Sequence, residues 1–216
     1  MSAREIVFDD GGMNLLSSAA LRWLRAEVEA SAGCSVLVFR SGRPNVFAAG
    51  ADMNEMARFT PAEAAEFSRL GQETFAAIER LPCLTIAAID GDCFGGALDL
   101  VMAFDLRFAT ERSRFSHPGA KLGIVTGFGG TSRWRRIIDS HAARRLFLAN
   151  EVFSAADALT LGIIDAIGDA PPTIPPLDPA LDRVTVQMVK ELTIHGERLN
   201  QRELLLLAER LSAVYR

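Results

Sequence analysis

Apolar and polar positions along this chain change their period several times, and each change marks an element. EIVF (5–8) has the make-up of an edge strand. From Leu15 to Ala32 the apolar residues Leu21, Leu24 and Val28 share one helical face, with Ser17 or Ser18 placed as N-cap. SVLVF (35–39) and LTIAAI (84–89) are unbroken apolar runs, as in strands covered on both faces. Between them, Thr60-Pro61-Ala62-Glu63 reads as a capping box with proline at the first helical position. The helix it opens carries Phe67, Leu70, Phe75 and Ile78 at helical spacing and stops near Pro82. Gly95 to Phe104 predicts a short helix, and LRFAT (106–110) a third core strand. Ser154, with Asp157 at the third position, caps a further helix that Gly162 ends, and IIDAIG (163–168) predicts a last short strand. Asp169 to Pro176 is a Pro-rich linker, followed by two helical patterns starting near Pro179 and Leu199. The expected fold is α/β: a β-α-β core over residues 1–168 and a helical appendage over 169–216.

Composition narrows what such a chain does. Its 216 residues suit one domain, and 49% hydrophobic with 23% charged residues bury a sizeable core rather than remain disordered. Lys and Arg number 23 against 27 Asp and Glu, a net charge of -4 that argues against a dedicated nucleic-acid binder. Cys34, Cys83 and Cys93 have no disulfide or metal-ligand spacing, so no metal site is expected. The acidic first residues do not read as a signal peptide, and no apolar run approaches a membrane span of ~20 residues. A reducing cytoplasm is the expected location.

Two loops carry the candidate chemistry. Phe47 to Asp52 (FAAGAD) follows SVLVF, and Gly91 to Asp99 (GDCFGGALD) follows LTIAAI. Strand-to-helix turns lie at the carboxyl edge of a sheet, where ligands of α/β folds bind. Small residues there let backbone N–H groups approach a ligand. If the two turns face each other, one N–H from each can hold a single developing oxyanion. A tight turn accounts equally for either loop taken alone.

FAAGAD, then AIDGDCFGGALDLVMAFDLRFAT, then FSHPGAKLGIVTGFGGTSRW, then SAADALTLGIIDAI resemble, in order and spacing, the successive signatures of the crotonase (enoyl-CoA hydratase/isomerase) superfamily. The resemblance covers residues 5 to 168 well and the C-terminal helices weakly. It implies a ββα spiral core, a homotrimer or hexamer assembled through a C-terminal helical region, and an acyl-CoA or carrier-protein thioester as substrate, with no cofactor. It implies that the amides of Ala51 and Gly96 form an oxyanion hole for the thioester carbonyl, with Ala49, Asp52, Met53, Gly95 and Gly119 around the substrate. Gly96 also sits where a helix starts, which favours negative charge.

The chain departs from the family where the acids belong. Hydratases of the superfamily use two glutamates. The first falls on Asp99 here and the second on Gly119, in Ser116-His117-Pro118-Gly119. Some isomerases of the superfamily keep an aspartate at the first position and add acids elsewhere, one at the position of Gly127, which has no proton chemistry. Asp99 lies nearly one helical turn beyond Gly96 and is the first acid/base candidate; His117, suited to proton transfer near neutral pH, is the second. Crotonyl-CoA hydration is therefore expected to be weak or absent. Gly119→Glu is expected to restore it, and Asp99→Asn to abolish that gain, unless Gly119 has a positive φ. Asp52 and Glu55 also read as rim residues, Asp92 as a turn residue, and Asp105 as a partner of backbone or an arginine. Arg133, Arg135 and Arg136 read as a solvated helix face or a phosphate contact. Cys93 reads as packing, and His141 and His195 have no evident partner. The first hairpin reads as short, with Asp10 to Asn14 replacing a family segment, and the chain stops where relatives continue into a helix that helps cover CoA. A carrier-borne thioester needs neither feature. The alternatives to an enolate-forming enzyme are a non-catalytic subunit that binds a thioester or a partner protein, and a thioester or β-diketone hydrolase.

Overall fold

The computed structural model describes residues 3–169 and 183–194. Five parallel strands form the main sheet: β1 (Ala3–Phe8), β3 (Val36–Ser41), β6 (Leu84–Ile89), β8 (Leu106–Ala109) and β11 (Ala166–Ile167), side by side in that order. EIVF lies at the sheet edge as its composition suggests, and the LTIAAI strand at the centre is buried along nearly its whole length. A second sheet runs β10 (Phe153–Ser154), β9 (Arg114–Ser116), β7 (Asp92–Phe94), β4 (Val46–Ala48), parallel except for β10 with β9. A two-stranded ladder pairs β2 (Leu15–Leu16) with β5 (Gly50–Ala51). The glycine loops therefore do not pass straight from strand to helix, as the sequence suggested. Each contains a short strand first, because the chain turns from the main sheet into a second layer before the helix begins.

Local chemistry accounts for the helices. In α1 (Ser18–Ala30), Ser17 is the cap, accepting from the amide of Ala20, and Leu21, Leu24 and Val28 are buried. In α3 (Pro61–Glu79) and α7 (Ala155–Thr160) both halves of the capping box are made, by Thr60 with Glu63 and by Ser154 with Asp157. The helix after the second loop, α4 (Gly96–Val101), is shorter than its apolar pattern. Asp105 explains the early end: its carboxylate accepts from the amide and hydroxyl of Thr85 at 2.8 and 2.7 Å, which pulls the chain back to β6. The remaining helices are α2 (Met53–Met56), α5 (Gly130–Ile137), α6 (Ser140–Ala149) and α8 (Arg183–Ile194).

Two sequence readings are corrected. There is no short N-terminal hairpin among the described residues: β1 pairs in parallel with β3, and β2 with β5. Arg133 is not on a solvated face. It is buried, donates to the Phe128 carbonyl at 2.8 Å and to Glu79 at 2.9 Å, and lies 5.7 Å from the Phe75 ring centroid. Arg136 pairs with the same Glu79 while Arg135 stays exposed, so the basic cluster neutralises the end of α3.

A charge within α8 holds the helix against the chain entering strand β6 and the chain leaving α4. Lys190 is buried, and its ammonium donates to the Cys83 carbonyl at 2.9 Å and pairs with Asp105 at 2.8 Å. Burial beside Cys34 pushes the Cys83 thiol up to about 12, so it packs as a neutral group. The Pro-rich linker, His195 and the apolar run Leu204 to Leu207 lie outside the described residues. Among the described residues no helix is long and apolar enough to cross a membrane.

Candidate active site

The first loop is framed by residues the sequence had marked only as a replacement. Asp10 accepts from the amides of Gly12, Asn14 and Leu15, which outweigh partial burial and hold its carboxyl below the usual range. Asn14 has a left-handed φ of 53°, is fully buried, and places Nδ2 within 2.8–3.0 Å of the Phe8 carbonyl, the Ser41 hydroxyl and the Phe47 carbonyl. It thereby ties β1, β3 and β4 to the strand that pairs with Gly50–Ala51. Asn14→Ala removes the three hydrogen bonds from Nδ2 and the one that Oδ1 accepts from the Asp10 amide, and is expected to lower stability by about 2 kcal/mol or more in denaturant titration, since a typical hydrogen bond contributes about 0.5–1.5 kcal/mol net.

The two loops meet backbone to backbone. Gly50 has φ 96°, and a Cβ there would stand 2.7 Å from the Phe94 carbonyl oxygen and 3.1 Å from the Gly96 nitrogen. A Cβ at Gly96 would stand 3.6 Å from the Ala51 nitrogen. Glycine at position 50 is thus what allows the approach. Gly96 is the first residue of α4, and its cap, Gly95, has no side chain to occupy the free amides. Both loops open into one cavity of about 300 Å³.

Of the residues assigned to the site from sequence, Ala49, Ala51, Met53, Gly95, Gly96, His117 and Gly119 line this cavity. Asp52 and Asp99 do not. The Asp52 carboxylate instead caps α2, accepting from the amides of Asn54 and Glu55. Asp99 is fully buried and turned toward α5 rather than the cavity. Three polar groups surround it: the Trp134 indole N–H donates to Oδ1 at 3.2 Å, the Thr126 hydroxyl donates to Oδ2, and the His117 Nε2 lies 3.3 Å from Oδ2. A Cβ at Gly130 would lie 1.8 Å from Oδ1, so α5 can begin here only with glycine.

His117 lines the cavity and reaches Asp99 with one nitrogen. Its other nitrogen, Nδ1, has no hydrogen-bond partner among the described residues. The Phe147 ring stacks edge-on against the imidazole with centroids 4.7 Å apart. The space where a Gly119 side chain would start is 3.5 Å from Nδ1. Gly119 does not have a positive φ; the obstacle to a side chain there is the Ile124 carbonyl, 2.9 Å from the Cβ position.

The wall of the cavity is otherwise mainly apolar, with Met53, Met56, Phe67, Leu122, Ile124, Val125 and Phe128. Its two hydroxyls are engaged: Ser68 donates to the Gly127 carbonyl, and Thr126 to Asp99. The other residues noted from sequence serve structure. Glu55 accepts from the Ser18 amide, Asp92 pairs with Arg114, and His141 is exposed in the first turn of α6. Cys93 is buried, and desolvation with the nearby Asp99 and Asp92 charges pushes its thiol well above its ordinary value. Among the described residues no three His, Cys, Asp or Glu side chains cluster as a metal site. Thr126, Gly130, Trp134 and Phe147 were missed by sequence reasoning. The glycine pair of FGGTSRW was the available signal for Gly130, while Phe147 lies in an ordinary helical stretch with none.

Comparison with known proteins shows the family. A family model for enoyl-CoA hydratase/isomerase matches residues 19–172. The chain is 41% identical over 133 residues to the enoyl-CoA isomerase/hydratase fer4 of Mycosarcoma maydis, covering 61% of this chain and 48% of that protein. It is 33% identical over 158 residues to a crotonyl-CoA hydratase of Syntrophomonas wolfei, covering 72% and 61%. The chain thus spans about half to three-fifths of the length of these relatives. Among solved structures, Pseudomonas aeruginosa DspI superposes with a TM-score of 0.82 at 26% identity, covering 98% of this chain and 90% of that one. With its ββα layers, its paired glycine loops and a family match across most of its length, the chain belongs to the enoyl-CoA hydratase/isomerase family.

Proposed function

We propose that the protein acts on an acyl thioester, forming and reprotonating a thioester enolate with His117 as its one proton carrier. The observation behind this is the cavity itself: the amides of Ala51 and Gly96 adjoin in it, and among the described residues His117 is the only titratable side chain on its wall. The two N–H groups donate to the thioester oxygen as charge develops there. In this reading His117 donates Nε2–H to Asp99, so that Nδ1, buried and without a hydrogen-bond partner among the described residues, is the nitrogen left to accept a proton from carbon. The buried carboxylate then stabilises the imidazolium that forms. Asp99 serves this chemistry through the imidazole, since it has no face on the cavity.

A single carrier suits a 1,3-proton shift, the isomerisation of a 3-enoyl to a 2-enoyl thioester. Hydration needs a second group to deliver water, and Gly119 provides none. The apolar wall suits a hydrocarbon acyl chain. An acyl-CoA or a carrier-borne thioester, and assembly as a trimer or hexamer, belong to the same proposal. The expected result is rapid conversion of 3-hexenoyl-CoA to its 2-enoyl isomer, with crotonyl-CoA hydration slower by about 10²-fold or more, the contribution of one missing acid or base. Hydration at least as fast as isomerisation refutes the one-carrier reading. Tight acyl-CoA binding with no exchange of α-protons into D₂O points instead to a non-catalytic thioester-binding subunit.

A further inference from the structure

We infer that Trp134 is a positioning residue for His117, acting through Asp99 on one side and Phe147 on the other; the inference rests on the reading of His117 as the proton carrier. Four side chains from separate parts of the chain close a ring. The Trp134 indole N–H donates to Asp99 Oδ1 at 3.2 Å, and His117 Nε2 lies 3.3 Å from Oδ2. The Phe147 ring meets His117 at 4.7 Å between centroids with a 66° interplanar angle, and meets Trp134 at 5.2 Å and 53°. Trp134 thus touches both groups that hold the imidazole, without touching the cavity.

The carboxylate explains why this matters. Rotation about the Asp Cβ–Cγ bond has a broad, two-fold profile, so the side chain does not orient itself. His117 and Thr126 both engage Oδ2. Among the described residues only Trp134 engages Oδ1, on the side where Gly130 has no Cβ to confine it. A donor on each oxygen fixes the carboxylate plane, and with it the line along which Nε2–H must point. That line decides which imidazole nitrogen keeps the proton, and so which one carries the unpartnered lone pair. A buried Trp N–H requires a partner in any case, and here the requirement is met by the group that sets the tautomer.

The test is Trp134→Phe, which keeps a ring against Phe147 and deletes one N–H. In the wild-type protein, ¹⁵N chemical shifts of His117 should show Nε2 protonated and Nδ1 bare. In the variant they should show a mixture of tautomers, with kcat for α-proton exchange reduced about tenfold, in line with small misplacements of a reacting group, and KM for the acyl-CoA unchanged. A folded Trp134→Phe protein with wild-type His117 shifts and wild-type kcat overturns the inference. If that variant does not fold, Phe147→Leu decides. It spares the indole hydrogen bond but removes the ring shared by Trp134 and His117, at a half-buried position. Mixed tautomers there support the ring, and a wild-type spectrum refutes it. The shifts need no substrate, so they remain decisive even if His117 is shown not to carry protons.

Discussion

Replacing His117 with glutamine is expected to slow the exchange of thioester α-protons by about 10²–10⁴-fold, the range of general acid–base assistance, while acyl-CoA binding persists. Glutamine is close to histidine in reach and its amide can still donate to Asp99, so the buried carboxylate keeps a partner. The Ala51 and Gly96 amides are untouched, so the thioester carbonyl retains its donors. What disappears is the imidazole nitrogen that has no hydrogen-bond partner among the described residues. Deuterium incorporation into butyryl-CoA, followed by NMR, measures the step without requiring the natural acyl group. A glutamine variant that exchanges at the wild-type rate would place the proton transfer elsewhere. Asp99→Asn should lower exchange in the same direction, because its amide no longer fixes the imidazole or balances its charge.

Gly130→Ala should be strongly destabilising. The added methyl would fall 1.8 Å from Asp99 Oδ1, inside any permitted contact, against a side chain with no room to withdraw. Either α5 shifts and Trp134 leaves the carboxylate, or Asp99 rotates and loses His117. Overpacking costs 1–3 kcal/mol and an unpaired buried charge more, so a loss of about 3 kcal/mol or greater is expected in chemical denaturation. Combining Gly130→Ala with Asp99→Ala should recover part of that loss, because the second change removes the clashing atom. Strict additivity of the two would show that the methyl is accommodated without involving Asp99.

The parts of the fold legible in the sequence were those written in local chemistry. The pair Ser17 and Ser18, Thr60 and Ser154 each announced a helix start through a cap contacting residues within three positions, and the caps are made by Ser17, Thr60 and Ser154. LTIAAI announced a buried strand because every position is apolar or small. Contacts between distant segments were not legible. Arg133 looked solvated because nothing nearby in the chain reveals Glu79, 54 residues away. Asp99 looked like a cavity residue because helical spacing gives the face it occupies but not what covers that face. The covering groups, Thr126 and Trp134, come from 27 and 35 residues further on. The site's glycines were visible as a pattern, yet which of them is required by a neighbouring backbone or carboxylate emerges only from the packed chain.

The buried ammonium beneath α8 bears on how a helix chooses its seat. Contacts between aliphatic side chains are non-directional, and a helix resting on them alone can slide by a turn at little expense. Lys190 must meet the Cys83 carbonyl and the Asp105 carboxylate together, and a displacement of one turn, about 5.4 Å, would part the ammonium from both. The same carboxylate ends α4 by holding Thr85. One acidic residue therefore acts as a common datum for two helices far apart in the chain, so the apolar positions of α8 are free to vary while its register is kept.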